Sequence, residues 1–273
     1  LLRRFLGIRH HMSSEPGVRL PFADRAEAGA LLAQRLSGMP LSDPVVLALP
    51  RGGVPVALPV ARELSAPLDV LVTRKIGHPA QPELGVGAIA EGGEPVLDRD
   101  LLHRLGLTEE DLADVLARER RELERRVARY RQGRPLIDVK GRVVVVVDDG
   151  LATGGTARAA LRAVRARGCR ATVLAVPVGA PETVRLCRTE ADEVVVLATP
   201  AWFHAVGQWY ERFDQLTDAD VLELLRGKRA DGDSGGADAG AGGAAHATTT
   251  LGRALVLVQP APGAVLLGPG QCV

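Results

Sequence analysis

Residues 143–147 are five consecutive valines, and no other stretch restricts the fold as strongly. A strand with one wet face alternates apolar and polar side chains, so an unbroken apolar run must be buried on both sides. That is the place of a central strand in a parallel sheet, with helices above and below. Asp148 and Asp149 stand where this strand should end, followed by Gly150-Leu151-Ala152-Thr153-Gly154-Gly155-Thr156. Residues 156–167 are rich in Ala and Arg and read as a helix. Strand, acidic pair, glycine loop, helix: this order gathers backbone N–H groups and the positive end of a helix dipole around a small space that suits a phosphate. Gly154 and Gly155 let the backbone approach an anion with no side chain in the way. Thr153 and Thr156 add hydroxyl donors.

The acidic pair narrows the ligand. A loop built for phosphate alone would not carry Asp148 and Asp149 at its mouth, because like charges repel. They make sense beside a ligand with hydroxyls that donate to carboxylates, or beside a divalent cation that takes oxygen ligands. A sugar phosphate with Mg²⁺ meets both conditions. There is no G-x-x-x-x-G-K-[ST], and no G-x-G-x-x-G follows this strand, so the two common nucleotide loops are excluded. The bland alternative, a tight turn with a solvated acidic pair, leaves the helix start that follows without a purpose.

The run V-V-V-V-V-D-D-G-L-A-T-G-G-T resembles the signature with which type I phosphoribosyltransferases bind phosphoribosyl pyrophosphate (PRPP): a hydrophobic strand, two acidic residues and a T-G-[GK]-T-like loop. The resemblance is specific over 143–156, looser over 45–197 and absent outside about 20–228. It implies an α/β fold in three layers, a parallel sheet with flanking helices, plus a small hood over the acceptor and a flexible lid. It also implies that Ala152, Thr153, Gly154, Gly155 and Thr156 hold the 5′-phosphate. Asp148 and Asp149 would take the ribose hydroxyls and hold Mg²⁺, directly or through ligand and water.

A second strand–loop–helix unit supports this reading. Residues 45–49 form a short apolar strand that runs into Pro50-Arg51-Gly52-Gly53, and 56–64 read as a helix. Alone, an R-G-G turn is a packing turn; beside the Thr153 loop it resembles the family's pyrophosphate loop, with Arg51, Gly52 and Gly53 as its binding residues. Residues 68–73 read as a strand that ends in Arg74 and Lys75, two cations at the edge where open α/β sheets place ligands. Both are expected to act in catalysis by closing over the departing pyrophosphate. Residues 77–93 are rich in Gly and Pro and read as the lid; Glu83 and Glu91 within it stay open between a base and mere surface.

Elsewhere the patterns are structural. Asp24 is an N-cap for a helix over 26–36. Thr108-Glu109-Glu110-Asp111 opens a long helix to about Tyr130, where interleaved Arg and Glu indicate a solvated face or a dimer contact rather than an RNA surface. A strand over 172–176, a helix over 181–188 and a strand over 193–197 continue the β-α-β alternation. Only 3% of the chain is aromatic, yet Trp202, Phe203, Trp209, Tyr210 and Phe213 fall within one segment. Such rings stack on a nucleobase or form a satellite core, and the sequence leaves both open. Trp202, Phe203 and His204 are the acceptor candidates, with Asp214 a further base-edge contact. Thr217-Asp218-Ala219-Asp220 caps a last helix through Leu225.

The domain is expected over 20–228, with 1–19 a disordered leader and 229–273 a Gly/Ala-rich linker and truncated tail. Net charge is +1, which offers no bulk attraction to nucleic acid or membrane. Cys169, Cys187 and Cys272 lack metal-like spacing and fit a reduced, cytoplasmic protein. No apolar run approaches the ~18 residues of a membrane span. The expected activity is transfer of a phosphoribosyl group from PRPP, with Mg²⁺, to a small nitrogenous, nucleobase-like acceptor, by a homodimer. Members specific for 6-oxopurines carry Asp where this chain has Ala152, so the acceptor stays unnamed. The alternatives are a catalytically weak PRPP- or nucleotide-binding regulator and a domain partnered with a C-terminal enzyme.

Overall fold

A computed structural model describes residues 18–233, with side chains through 226. Most of the expected leader, and the tail from 234, lie outside the described residues. The chain begins with α1 (Arg25–Ser37), β1 (Pro44–Ala48), α2 (Gly53–Glu63) and β2 (Leu68–Val70). Then come β3 (Thr73–Gly77), β4 (Gly85–Ala90), β5 (Val96–Leu97), α3 (Arg99–Leu105) and α4 (Ala113–Arg131). β6 (Val143–Val147), α5 (Gly155–Ala166), β7 (Ala171–Val178), α6 (Pro181–Cys187), β8 (Glu193–Ala198) and α7 (Asp218–Asp233) complete it.

The main sheet has five parallel strands in the order β2-β1-β6-β7-β8. All five valines of β6, the middle strand, are buried. Because successive strand residues face opposite ways, Val145 and Val147 enter the core formed with α1 and α2. Val144 and Val146 enter the core formed with α5 and α6. The valine run is thus the shared wall of two cores, which makes three layers. Ala48, Val147 and Ala175 align across β1, β6 and β7, so the loops after β1 and β6 leave the sheet at one edge.

Local signals hold at the helix starts. Asp24 accepts from the N–H groups of Ala26 and Glu27, and Thr108 and Asp111 bond reciprocally ahead of α4. Thr217 and Asp220 repeat that box at α7, which continues past the expected Leu225.

One expectation is corrected. Residues 68–73 are not a single strand leading to the cations. β2 ends at Val70, Leu71 and Val72 cross to different cores, and β3 begins a separate antiparallel sheet, β3-β4-β5. The lid candidate 77–93 therefore holds the connecting turn 78–84 and the second strand, β4, of a strand pair with β3. Its alternation was hidden because two of its positions, Gly85 and Gly87, have no side chain to score. Both glycines are sites of close approach. An added methyl would lie 2.2 Å from Lys75 Cε at Gly85 and 2.6 Å from the Val96 carbonyl oxygen at Gly87. The strand β5 and helix α3 were not anticipated at all.

α4 is tied to both sheets by Arg131, whose side chain is 3% exposed. It donates to Asp69 of β2 at 2.7 Å, to Glu91 after β4 at 2.6 Å and to the Val70 carbonyl at 2.7 Å. The interleaved charge of α4 is largely solvated, except at this end and at Glu119, which is buried. Among the described residues no helix is long and apolar enough to cross a membrane.

Candidate active site

The edge at which β1 and β6 end carries the acidic pair. Asp148 Oδ1 accepts the Asp149 N–H at 2.9 Å, and Asp149 Oδ2 accepts from Arg25 Nε at 2.9 Å. The loop after β1 is pressed against them. A methyl at Gly52 would fall 1.9 Å from Asp149 Oδ2, and one at Gly53 would fall 2.6 Å from the Val147 carbonyl oxygen. Only glycines allow the two loops to approach this closely. Arg51, just before Gly52, is exposed, and its side chain hydrogen-bonds nothing among the described residues.

Burial raises both carboxyls. It places Asp148 well above the ordinary carboxylate range, and the neighbouring Asp149 charge adds to the effect. Asp149 is raised by burial as well, but the Arg25 guanidinium opposes the shift. Arg25 is itself fixed: its Cζ lies 3.8 Å from the centre of the Phe213 ring, and Nη1 donates to the Asp214 carbonyl at 3.0 Å. The Tyr210 hydroxyl donates to the Asp149 carbonyl at 2.6 Å. Neither Arg25 nor Tyr210 was expected here. No local signal could have marked Arg25, because its partner is 124 residues away.

The Gly/Thr loop turns into α5 at Gly154, which has φ 72°. That left-handed value suits glycine, and a methyl would lie 2.6 Å from Thr183 Cγ2. α6 is the seat of this loop, since the Thr183 hydroxyl donates to the Ala152 carbonyl at 2.6 Å. Cys187 lies under it too, its thiol pushed up to about 11 by burial and so unreactive near neutral pH. Above the loop is a cavity of about 90 Å³, lined by Thr153, Gly155, Thr156 and Arg158 on one side and by Lys75, Gly85–Gly87, Val96 and Asp98 on the other. At about 30 Å³ per water, it has room for a small anion.

The two neighbouring cations are separated by the pleat. Successive residues of β3 face opposite sides: Lys75 borders the cavity and donates to the Glu83 carbonyl at 2.9 Å, whereas Arg74 turns to α4. Arg74 Nε and Nη2 donate to Glu119 Oε2 at 2.9 and 2.7 Å. One strand cannot deliver both to one cleft, so Lys75 is the member on the site's side. Glu91 is taken by Arg131.

The aromatic segment divides. Tyr210 packs between Phe22 and Phe213, at centroid distances of 5.5 and 5.2 Å, and joins the core formed with α1 and α2 rather than a separate satellite core. Phe203 packs on Trp209 at 6.1 Å, and Trp202 is 83% exposed with no ring partner among the described residues. His204 is exposed, and its backbone N–H donates to Gln208. Val206 covers Gly150, next to the acidic pair, so this segment does lie over the site.

Asp148 and Asp149 are the hard oxygen donors that a metal ion here would use. No group of three or more His, Cys, Asp or Glu that could hold one occurs among the described residues. Two carboxylates fit Mg²⁺ held jointly with a substrate's oxygens and water.

A family model described as phosphoribosyl transferase domain matches residues 24–212. Two Mycobacterium tuberculosis proteins, from strains CDC 1551 and H37Rv, are named provisionally as phosphoribosyl transferases. Each is 50% identical over 221 residues, which is 81% of this chain and 50% of the relative. The chain thus spans about half the length of these curated relatives. The crystal structure of TT1426 from Thermus thermophilus is 48% identical, covers 76% of this chain and 98% of its own, and superimposes with a TM-score of 0.65.

Proposed function

Because the chain belongs to the phosphoribosyl transferase family, we propose that it transfers the phosphoribosyl group of PRPP to a small nitrogenous, nucleobase-like acceptor and releases pyrophosphate. The observation that carries this reading is the meeting of two glycine loops on one acidic pair, with Gly52 against Asp149 and a small cavity at the neighbouring loop. The 5′-phosphate takes the amides of Gly155 and Thr156 and the hydroxyls of Thr153 and Thr156. The ribose hydroxyls donate to Asp148 and Asp149. Pyrophosphate lies along Arg51, Gly52 and Gly53, and Lys75 comes from the facing sheet.

In the reaction the C1–O bond to pyrophosphate breaks, a bond from the acceptor nitrogen to C1 forms, and the acceptor's proton passes to solvent. No carboxylate stands at Ala152 to take it. Positive charge develops at C1 as the bond breaks, and Asp148 and Asp149, held beside the ribose, stabilise it. When bound, Mg²⁺ neutralises the oxygens of pyrophosphate. Burial disfavours the charged acids in the empty protein, so a hydroxyl-rich ligand and its cation add partners beyond Arg25 and the Asp149 N–H.

The direct experiment follows pyrophosphate release from PRPP and Mg²⁺ with a panel of nucleobases and amines. Release that depends on an acceptor supports a transferase. PRPP binding without turnover on any acceptor supports the regulator instead, and absence of PRPP binding rejects both.

A further inference from the structure

The cavity above the Gly/Thr loop has a charge balance that the loop motif does not explain. Three of its lining residues are ionisable: Lys75, Asp98 and Arg158. Lys75 and Asp98 come from the small sheet and its exit, and their charges offset. Asp98 uses one oxygen to cap α3, accepting the Leu101 N–H at 2.9 Å, but its charge remains. Arg158, in the first turn of α5, therefore sets the sign. Without it the lining is neutral apart from its amides; with it the lining is cationic, because the Glu190 carboxylate behind it is shared with a second cation, Arg162. A phosphate monoester carries about −1.5 to −2 near pH 7.

We propose that Arg158 is a phosphate-binding residue of this site, presented by Glu190, and that it sets the preference for ribose bearing a 5′-phosphate over unphosphorylated ribose. The proposal rests on the reading that the cavity takes the 5′-phosphate of PRPP. A guanidinium has five N–H donors in a fixed fork. Arg158 Nε donates to Glu190 Oε1 at 3.0 Å, Nη2 lies in ion-pair contact with the same oxygen at 3.0 Å, and Nη1 has no acceptor among the described residues. One edge is anchored and another is left for a ligand.

The anchor is firm. Glu190 also accepts from Arg162 Nε at 2.8 Å and Nη2 at 2.6 Å, and its backbone carbonyl accepts from Arg165 Nε at 3.1 Å. Arg162 and Arg158 hold its carboxyl below the usual range. The side chains of Arg158 and Glu190 are only 20% and 12% exposed, which limits screening. Glu190 follows α6, the helix whose Thr183 and Cys187 seat Gly154. One segment thus fixes both the amides of the loop and the arginine beside them, so a phosphate meets a preorganised set of donors.

The test is calorimetric titration with ribose 5-phosphate, PRPP with Mg²⁺, and pyrophosphate with Mg²⁺. It uses the whole chain and its variants Arg158→Ala, Arg158→Lys, Glu190→Gln and Arg162→Ala, with a thermal melt of each. Loss of a charge-assisted hydrogen bond corresponds to about 10–100-fold in affinity. Arg158→Ala is expected to weaken ribose 5-phosphate by that factor and flatten its salt dependence, while leaving pyrophosphate binding unchanged. Arg158→Lys should recover part of the loss, and Glu190→Gln should show a smaller one. Arg162→Ala, which loosens Glu190 but leaves Arg158 in the cavity, should show a loss no larger than that of Glu190→Gln. Equal affinity for ribose 5-phosphate in wild type, Arg158→Ala and Arg158→Lys overturns this inference and leaves the PRPP reading intact. A wild-type protein that binds neither ribose 5-phosphate nor PRPP overturns both. If Arg158→Ala does not fold, an unweakened Glu190→Gln together with an unweakened Arg158→Lys overturns it.

Discussion

Asp148 and Asp149 are placed for a ligand at the expense of the empty fold. Burial raises Asp148 from its ordinary 3.8, so the folded state keeps a proton that the unfolded chain loses above about pH 4. Stability of the unliganded protein should therefore fall as pH climbs from there through the folded value. Asp148→Asn removes that cost, and melts from roughly pH 4 to 8 should show a flatter slope and a higher neutral Tm than wild type. The same variant should bind PRPP more weakly; a neutral Tm below wild type would contradict the assignment. Asp149→Asn should lower kcat by about 10²–10³-fold, the usual loss for one well-placed electrostatic group, with a smaller change in acceptor KM. Arg25 opposes the upward shift of Asp149. Arg25→Ala should therefore move the acid limb of the kcat/KM profile to higher pH, and Arg25→Lys should bring it part of the way back.

At the scale of elements, α4 and the small sheet position Lys75 without touching the acidic pair. Arg131 holds α4 to β2 and to the end of β4 through two carboxylates. Arg131→Ala leaves Asp69 and Glu91 without their shared cation and should cost about 3–5 kcal/mol in denaturant unfolding. The small sheet offers a sharper comparison. A methyl at Gly85 meets the flexible end of Lys75, whereas one at Gly87 meets the backbone of β5. Gly87→Ala should then destabilise by about 1–3 kcal/mol, and Gly85→Ala by less. Gly85→Ala should nevertheless weaken PRPP binding, because it displaces the Lys75 ammonium; equal stability losses in the two variants would contradict this packing.

At the scale of the molecule, residues near the start of the described chain are joined to those near its end above the acidic pair. Phe22 N–H donates to the Trp209 carbonyl, Glu211 N–H to the Phe22 carbonyl and Arg212 N–H to the Ala23 carbonyl. Arg212 also pairs with the Asp24 carboxylate. Phe22 is fully buried on Tyr210, whose hydroxyl holds the Asp149 carbonyl. Phe22→Ala should cost about 3–5 kcal/mol in stability and loosen Arg25 three residues on. Tyr210→Phe keeps the packing, loses one hydrogen bond worth about 1 kcal/mol, and separates the two effects.

Much of this protein is written in short windows of its chain. The valine run, the caps at Asp24, Thr108 and Thr217 and the two glycine loops were legible because their causes lie within about ten residues: strand alternation, helix-end donors and glycine's freedom of approach. The layered α/β fold follows from them. Three things were decided only when the chain closed on itself. They are the opposite faces taken by Arg74 and Lys75, the pairing of Arg25 with Asp149, and the presentation of Arg158 by Glu190. An ion pair has no period in sequence. Its partners are set by which strands lie side by side and in what register, and that is a property of the packed molecule alone.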